Sequence, residues 1–327
     1  MSNIEINKNP NVSVLMSFFN AAEWIKDSIN SVLLQTFKDF EFIIIDDGST
    51  DKSVDIVEKF CRMDKRIVLI KKEHTGLANS LNIGIDTAKG KWIARIDADD
   101  ICELDRLERQ FNFSLSKEGL VFIGTNCVEL NTESNHKKVT QYPVSNDLLL
   151  KYLQTARKFP PHSSAFFLKS AAISVGRYRH RFKRAQDRDL WLRISRVGNI
   201  ACLDKVLVVI RKHDKQISKK SIDMHQLLYS YMAMTSYYVQ KSNLSDPIDG
   251  TRSEYLEFKQ WLLSKLELNG VIDRINIMDN FNSKEFIGSP FKLKVLVNLL
   301  IIFKNRFFGS KLPLRLSKDW KIYKSKS

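Results

Sequence analysis

The sequence predicts an α/β protein with a mostly parallel central sheet flanked by helices. Three observations support this prediction: strand-like runs alternate with segments of helical periodicity, the strand-like runs are apolar almost without interruption, and acidic residues follow two of them. Alternating strand and helix signals are typical of β-α-β units. Strands that are apolar on both faces are typical of parallel sheets covered by helices on each side.

The first β-α unit is predicted over residues 12–34. The run VSVLMSF, residues 12–18, has the composition of a buried strand. Residues 21–34 carry apolar side chains at helical spacing, among them Ile25 and Ile29. We therefore expect a strand that leads through a short turn into a helix.

The next units repeat this pattern. Residues 40–45 are the second predicted strand, and Gly48 permits a tight turn into a helix that ends near Arg62. Residues 66–71 are the third predicted strand and are followed by a further helical segment. The fourth predicted strand begins at Trp92.

Carboxylates stand directly behind the second and fourth strands. The second strand ends in Asp46-Asp47 and the fourth in the group Asp97, Asp99 and Asp100. Ligands of parallel sheets bind at the carboxyl ends of the strands, so both acidic groups are expected to line one crevice. Three acids within four positions repel one another, and a bound metal is an economical source of compensating charge. The alternative is a solvated acidic turn that caps the next helix.

The kind of ligand follows from the motifs that are absent from the sequence. The turn after the first strand, SFFNAAEW, has no G-x-G-x-x-G pattern, and a Walker phosphate loop is also missing. Carboxylates repel phosphates, but they can hold a divalent metal that bridges to a diphosphate. They also accept hydrogen bonds from ribose hydroxyls or from a uracil N–H. A nucleoside diphosphate with a metal fits these residues.

Composition indicates a soluble globular protein. Of the 327 residues, 43% are hydrophobic and 27% are charged, which are ordinary values. Four scattered cysteines without a C-x-x-C pair argue against a disulfide framework and favour the cytoplasm. The start of the chain lacks the pattern of a secretory signal peptide, which also favours a cytoplasmic location.

Two long segments carry a family resemblance. They are VSVLMSFFNAAEWIKDSINSVLLQTFKDFEFIIIDDGSTD and GLANSLNIGIDTAKGKWIARIDADDICELDRLERQ, and they resemble the family 2 glycosyltransferases, which have the GT-A fold. The resemblance implies that Asp47 contacts the uracil of a UDP-sugar, that Asp97 serves the ribose and the metal, and that Asp99 binds Mn²⁺ or Mg²⁺ directly. Phe18 and Asn20 correspond to the turn beside the nucleotide.

The resemblance extends to about residue 215 and implies a general base. The segment FKRAQDRDLWLRISRVG resembles the part of the family that carries a Glu-Asp dyad ahead of a Leu-Trp pair. Here Gln186 replaces the Glu, and Asp187 keeps the position of the base. Asp189 is a rival acid but is better explained as a first-turn helix acid, and Asp100 is interpreted in the same way.

Three further residues are candidates on the same grounds. His162, in PHSSAFFLKS, corresponds to an acceptor-side position where the family has His-Pro-Ser; it either orients an acceptor hydroxyl or is structural. Arg211 and His213 lie in the segment that resembles the family's closing strand and loop, where they are expected to meet the diphosphate, with His213 as a metal ligand. The alternative for this pair is an exposed basic loop.

A helical extension, residues 220–327, is expected to follow the catalytic domain, residues 1–219. Its segment 291–327 holds ten Lys or Arg residues against one acid, out of a net charge of +15 for the chain. The apolar run within this segment is shorter than the roughly 20 residues of a membrane-spanning helix. It suits attachment to an anionic membrane surface, the alternative being a docking or dimerisation helix. Because the charge is concentrated there, nucleic acid is not expected as a partner.

Together these features predict an inverting, metal-dependent transferase that moves one sugar from a UDP-sugar to a glycan acceptor. The acceptor is expected to be lipid-linked, in the synthesis of a bacterial-type surface polysaccharide such as a capsule, O-antigen or lipooligosaccharide at the inner face of the membrane. The sequence lacks the Q-x-x-R-W motif of processive synthases. The alternatives are transfer to a polyprenyl phosphate, or an inactive sugar-nucleotide-binding protein. An oligomer is compatible with the sequence.

Overall fold

The computed structural model describes residues 9–155, 157–214, 216, 224–269 and 311–325. The chain divides into two compact units. The first unit comprises residues 1–150, 159–180 and 193–214, and the second comprises residues 151–158, 181–192 and 215–327.

The described residues of the first unit form a nine-stranded sheet. Its strands are β1 Val12–Phe18, β2 Phe40–Asp46, β3 Ile67–Lys71, β4 Trp92–Arg95, β5 Ile101–Cys102, β6 Leu120–Asn131, β7 Lys137–Thr140, β8 Phe166–Leu168 and β9 Asn199–Lys212. The strand order is β3-β2-β1-β4-β8-β6-β9-β5, and β7 pairs with β6.

Helices follow the strands along the chain. They are α1 Ile25–Leu33, α2 Ser53–Met63, α3 Leu77–Thr87, α4 Arg106–Leu115, α5 Asn146–Leu153, α6 Lys169–Ser174, α7 Gln186–Ile194, α8 Met224–Lys241, α9 Arg252–Leu268 and α10 Leu312–Lys324. The three helices α1, α2 and α3 connect parallel strands, as β-α-β units require.

The amino-terminal half of the sheet confirms the sequence prediction. β1 pairs in parallel with β2 and with β4, and β2 pairs in parallel with β3. Every residue of β1 and β2 is buried, which explains why their sequences are mostly apolar. At Gly84 of α3 a Cβ atom would lie 2.1 Å from Leu15 Cδ1, so only glycine permits this close approach of α3 to β1.

The other half of the sheet is mixed, where the sequence predicted a mostly parallel sheet. The short strand β8 runs antiparallel to both β4 and β6 and so reverses the strand direction in the middle of the sheet. β6 and β9 then pair in parallel, and β5 and β7 add antiparallel edges. A three-residue strand carries too little pattern for its direction to be predicted from the sequence.

The described part of the second unit is mainly helical. A capping box at Thr251 and Glu254 begins α9. Trp320 of α10 packs against Phe258 and Trp261 of α9, with ring centroids 5.0 Å away in each case. Among the described helices, none is long and apolar enough to cross a membrane.

The segment predicted to lie on a membrane, residues 291–327, falls partly outside the described residues. Only residues 311–325 of this segment are described. Within them Trp320 is 4% exposed, so this indole belongs to the aromatic core of the second unit and is not available to lipid.

Candidate active site

The predicted site residues of the first unit gather where neighbouring strands end. β1 lies between β2 and β4 in the sheet, so the carboxyl ends of these three parallel strands lie side by side. Asp47 follows β2, the loop 97–100 follows β4, and His213 follows β9. Contacts of Asp99 and Asp100 with Arg211 and His213 join the 97–100 loop to the end of β9.

Asp97 is neutralised from within the protein. Arg95, which is fully buried, pairs with Asp97 Oδ1, and the hydroxyl of Ser163 lies 2.8 Å from Asp97 Oδ2. Desolvation opposes the charged form, but Arg95, His162 and the Ser163 hydrogen bond together hold the pKa of Asp97 below its usual value. Asp97 is therefore a carboxylate with both oxygens already engaged.

Asp100 is predicted from the sequence to be a helix-start acid, but it is buried and directly precedes β5, and the next helix begins only at Arg106. It is 3% exposed, and its oxygens accept hydrogen bonds from the Ser163 hydroxyl and, at 3.1 Å, from the backbone N–H of Arg211. Burial, followed by the charges of Asp99 and Asp97, raises its pKa well above the usual value. Its role is to join the 97–100 loop to the end of β9.

Asp99 faces His213. Asp99 Oδ2 lies 3.1 Å from His213 Nε2, and the imidazole stacks on Trp24 with a centroid distance of 4.8 Å. His213 is 7% exposed, so it does not belong to an exposed basic loop. Its Nδ1 is buried without a hydrogen-bond partner.

The donor chemistry of this pair fits a divalent cation. A carboxylate oxygen and an imidazole nitrogen are both metal ligands. Because Nδ1 has no hydrogen-bond partner, the imidazole proton can be placed on Nδ1, and the Nε2 lone pair is then available to a metal. Among the described residues there is no group of three or more His, Cys, Asp or Glu side chains that could hold a metal.

Arg211 anchors the site. Its side chain is 4% exposed, and its Nη2 atom donates to Trp24 O at 3.1 Å and to Ser28 Oγ at 2.9 Å. Its Nε atom donates to the backbone carbonyl of Asp99, and its guanidinium lies 4.9 Å from the Trp24 ring centroid. Burial lowers its pKa. The predicted contact with the diphosphate stays a prediction, whereas the observed contacts fix the end of β9 against α1 and the 97–100 loop.

Asp47 is held by several donors at the start of α3. It pairs with Lys72 and accepts from the backbone N–H groups of Thr75 and Gly76 at 3.1 and 3.0 Å and from Ser80 Oγ at 2.9 Å. Burial opposes ionisation, but these hydrogen bonds outweigh it and lower the pKa of Asp47. His74 Nδ1 also lies 2.9 Å from Oδ2.

The burial of the Asp47–Lys72 ion pair predicts that Asp47→Asn lowers the free energy of unfolding substantially. The carboxylate is 5% exposed and the Lys72 side chain 12% exposed, so the substitution leaves a buried ammonium without its counter-ion. We expect a loss of about 3–5 kcal/mol in the free energy of unfolding in urea at pH 7. The exposed first-turn acid of α2 provides the control, since Asp55→Asn should cost no more than about 1 kcal/mol.

The pH dependence of this effect has a definite sign. The pKa of Asp47 is lower in the folded than in the unfolded protein. Its carboxylate therefore contributes fully to the free energy of unfolding above the unfolded-state pKa of about 3.9, and this contribution is lost as pH falls through the folded-state pKa. The difference between parent and Asp47→Asn should therefore shrink below about pH 4. A difference that stays constant down to pH 2.5, or one that does not exceed the Asp55→Asn effect, would contradict this assignment.

The exposed aromatic ring near Asp47 is that of Phe19, whereas the sequence prediction named Phe18. The Phe18 side chain is 3% exposed and belongs to the core, whereas Phe19 is 47% exposed. The Phe19 and His74 rings have centroids 4.3 Å apart. Asn20, at φ 51°, accepts from the backbone N–H of Thr50 at 2.8 Å and so ties the β1 turn to the β2 turn. Phe19 lies just beyond the end of β1, whose two faces are both buried, so strand alternation does not identify it in the sequence.

His162 contacts a tyrosine. Its Nε2 atom lies 2.8 Å from Tyr178 Oη, and the backbone of Tyr178 is held in turn by both polar atoms of the Asn82 side chain. His162 also contributes to the lowered pKa of Asp97. It is therefore near the acidic loop, and its predicted role toward an acceptor stays a prediction.

The predicted base lies in the second unit. Asp187 is in the first turn of α7 and is half-buried, with its Oδ1 accepting from the Arg188 backbone N–H at 2.8 Å. Arg188 Nη1 donates to the carbonyls of Leu153 and Thr155 at 2.6 and 2.7 Å. Asp189 is also a first-turn acid, as predicted, but it is 1% exposed, so its substitution is expected to disturb packing as well as charge.

Sequence comparison identifies a family. A family model described as "Glycosyl transferase family 2" matches residues 13–176. An uncharacterized glycosyltransferase of Haemophilus influenzae is 31% identical over 64% of this chain and 68% of its own. The amylovoran biosynthesis glycosyltransferase AmsE of Erwinia amylovora is 28% identical over 64% of this chain and 79% of its own. Three Rickettsia relatives are matched over only 29–38% of their length.

Structure comparison shows the same fold. Residues 1–349 of Staphylococcus aureus TarS in complex with UDP-GlcNAc align with a TM-score of 0.59 at 18% identity, over 70% of this chain and 66% of that one. The mannosyltransferase PcManGT of Pyrobaculum calidifontis, in complex with GDP-Man and Mn²⁺, aligns with a TM-score of 0.54 at 16% identity, over 95% of this chain and 84% of that one. The fold is therefore that of the GT-A glycosyltransferases.

Proposed function

Because this chain belongs to glycosyl transferase family 2, we propose that it transfers one sugar from a UDP-sugar to a glycan acceptor, with a divalent cation and with inversion at the anomeric carbon. The observation that carries the proposal is the pairing of Asp99 with His213 at 3.1 Å, on the loops after β4 and β9. These two side chains are the candidate ligands of the cation.

A divalent cation would serve the leaving group. When bound, it would supply Lewis-acid stabilisation of the charge that develops on the departing diphosphate. Asp99 and His213 would hold the cation, and Arg211 keeps Asp99 in place by donating to its backbone carbonyl. The Mn²⁺ complex of PcManGT supports a metal in this fold. Asp97, engaged by Arg95 and Ser163, contributes charge and loop geometry next to the cation.

The nucleotide lies at the ends of β1 and β2. Phe19 offers an exposed ring on which a base can stack, and aromatic stacking is worth about 1–3 kcal/mol per base. Asp47 is an acceptor next to it, and a uracil N–H reaches a carboxylate oxygen if it replaces one of the present donors. His74, whose side chain is 59% exposed, is the donor most easily displaced. The UDP-GlcNAc complex of TarS supports UDP as the carrier.

The acceptor is activated by Asp187. Its carboxylate takes the proton of an acceptor hydroxyl, and the hydroxyl oxygen then attacks the anomeric carbon from the face opposite the departing UDP. Gln186 stands where the family resemblance has Glu, so the amide cannot share this acid-base work. The name of AmsE, an amylovoran biosynthesis enzyme, supports a glycan acceptor of the surface-polysaccharide kind.

We also propose that the enzyme attaches to the inner face of the membrane, where a lipid-linked acceptor would lie. The exposed surface of α10 supports this proposal. Together with the N-cap residue it carries five basic residues, which are Lys311, Arg315, Lys318, Lys321 and Lys324. Apolar side chains lie among them, with Ile322 54% exposed and Tyr323 40% exposed. Basic residues near an anionic surface contribute about 1 kcal/mol each.

Charge reversal on α10 tests the attachment. The full-length parent should float with anionic liposomes at low salt, and Lys318→Glu/Lys321→Glu should lower the partition by at least about 30-fold, since two attractions of about 1 kcal/mol each are lost and each Glu adds a repulsion. The exposed pair on β7 gives a control of equal charge change, Lys137→Glu/Lys138→Glu, which should float like the parent. A parent that stays in the soluble fraction, or equal losses for both variants, would favour a docking role for this segment.

A donor panel tests the transferase proposal itself. UDP-, GDP- and dTDP-sugars would be incubated with the protein in Mn²⁺ or in EDTA, and release of the nucleoside diphosphate would be measured. We expect release from at least one UDP-sugar in Mn²⁺ and none in EDTA. An inactive sugar-nucleotide-binding protein would bind UDP-sugars without releasing UDP from any of them, with or without candidate acceptors.

A further inference from the structure

Ser163 connects two of the three carboxylates in the acidic loop. It is the middle residue of the short 3₁₀ turn His162–Ser164 and is fully buried. Its hydroxyl oxygen lies 2.8 Å from Asp97 Oδ2, is hydrogen-bonded to Asp100 Oδ2, and accepts the backbone N–H of Asp97 at 3.0 Å. This one hydroxyl therefore contacts both side chains and the backbone of the loop.

The partners of the three acids divide them into two groups. Asp97 and Asp100 each have one oxygen on Ser163 and the other on a second donor, which is Arg95 for Asp97 and the backbone N–H of Arg211 for Asp100. Both are therefore held from two sides against the protein. Asp99, between them in sequence, is turned toward His213 instead.

Removing the hydroxyl would disturb this division. Without it, two carboxyl groups that now share a donor would face each other across a cavity, and the N–H of Asp97 would lose its acceptor. Like charges in a buried site repel strongly, and an unsatisfied buried group costs about 1–3 kcal/mol. The 97–100 loop is short, so a shift of Asp97 or Asp100 moves Asp99 as well.

We propose that Ser163 is a positioning residue that orients the 97–100 loop so that Asp99, and not its neighbours, meets His213 and a divalent ion. This inference rests on the proposed function, since it assigns the ion to Asp99. Ser163 touches neither His213 nor the proposed ion; it acts through Asp97 and Asp100. It is also the position at which the resembling family has Pro, which has no hydroxyl to offer.

The neighbouring residue provides a matched control. Ser164 lies in the same turn, is also fully buried, and donates its hydroxyl to Pro161 O at 2.9 Å. Ser163→Ala and Ser164→Ala thus remove the same group from equivalent burial, but only the first removes a contact with the acidic loop. Any loss that reflects folding alone should appear in both variants.

The test measures the affinity for Mn²⁺ in the presence of UDP. The concentration of unbound Mn²⁺ is read from its electron paramagnetic resonance signal. Groups that hydrogen-bond to metal ligands typically change metal affinity by about 10- to 100-fold, and Ser163, which orients Asp99 indirectly through Asp97 and Asp100, should act at the lower end of that range. We expect a loss in this range for Ser163→Ala and near-parental affinity for Ser164→Ala. Ser163→Cys, which keeps a weak donor, should fall between parent and Ser163→Ala, and it provides the comparison if Ser163→Ala does not fold.

The outcomes separate this inference from the function on which it rests. If the parent binds Mn²⁺ with UDP but Ser163→Ala or Ser163→Cys binds it as tightly as Ser164→Ala does, the positioning role is wrong and the proposed function stands. If the parent itself binds no Mn²⁺ in the presence of UDP, the proposed metal-dependent function fails, and this inference fails with it.

Discussion

Asp99→Asn should nearly abolish turnover and weaken Mn²⁺-dependent UDP binding by more than about 100-fold. The substitution keeps the shape of the side chain but removes the charge that faces His213 at 3.1 Å, and the amide is a weak ligand compared with a carboxylate. The loss should exceed the roughly 10- to 100-fold typical of groups that only support a metal ligand. Binding by calorimetry and turnover by UDP release would both be measured.

The control for Asp99 lies six residues along the chain. Asp105 pairs with Arg109 near the surface, where its side chain is 35% exposed, so Asp105→Asn removes one negative charge from the same region without touching the proposed ligands. It should bind UDP with Mn²⁺ like the parent. An Asp99→Asn protein that does the same would show that the ligand assignment is wrong.

Asp187→Asn should lower the transfer rate by about 10²- to 10⁴-fold while UDP-sugar binding survives. Asn cannot take the proton of the acceptor hydroxyl, and the stated range is what a positioned general base contributes. The side chain is half-buried, and its observed bond to the Arg188 N–H can also be made by the amide oxygen of Asn, so folding should be preserved. Rates at saturating donor and acceptor, with donor affinity measured separately, distinguish a lost base from lost binding.

A suitable control for Asp187 is an exposed acid in the same helical position. Asp147 lies in the first turn of α5 and is exposed, whereas Asp189 is buried and would mix a packing effect into the comparison. Asp147→Asn should transfer at the parental rate. Near-normal turnover of Asp187→Asn, or an anomeric configuration retained from the donor when the product is examined by NMR, would contradict the proposed displacement.

The sequence predicted the amino-terminal half of the fold because its signals are local. Seven consecutive buried residues in β1 and in β2 produce mostly apolar runs, and the helices that follow them show their own periodicity. The strand β8 has three residues, and it pairs with β4, more than seventy residues away, and with β6, more than forty residues away. Such long-range pairing leaves no local pattern.

The site residues show the same limit. The sequence identified Asp97, Asp99 and Asp100 as a cluster that needs positive partners. It did not show which residues contact each carboxylate, because Ser163 and Arg211 are distant in the chain. It interpreted Asp100 as a helix-start acid, whereas the structure buries it ahead of β5. A side chain's burial depends on what packs over it, and that information is not contained in the neighbouring residues.

The most direct test of the central claim, a divalent ion that joins UDP to Asp99, is calorimetric titration of the parent protein with UDP and with GDP, each in Mn²⁺ and in EDTA. This measurement needs neither the donor sugar nor the acceptor to be known. We expect that UDP binds in Mn²⁺, that its affinity falls by more than about 100-fold in EDTA, a loss of about 2.8 kcal/mol, and that GDP binds more weakly than UDP. Equal UDP affinity in Mn²⁺ and EDTA, or GDP binding as tight as UDP, would contradict it.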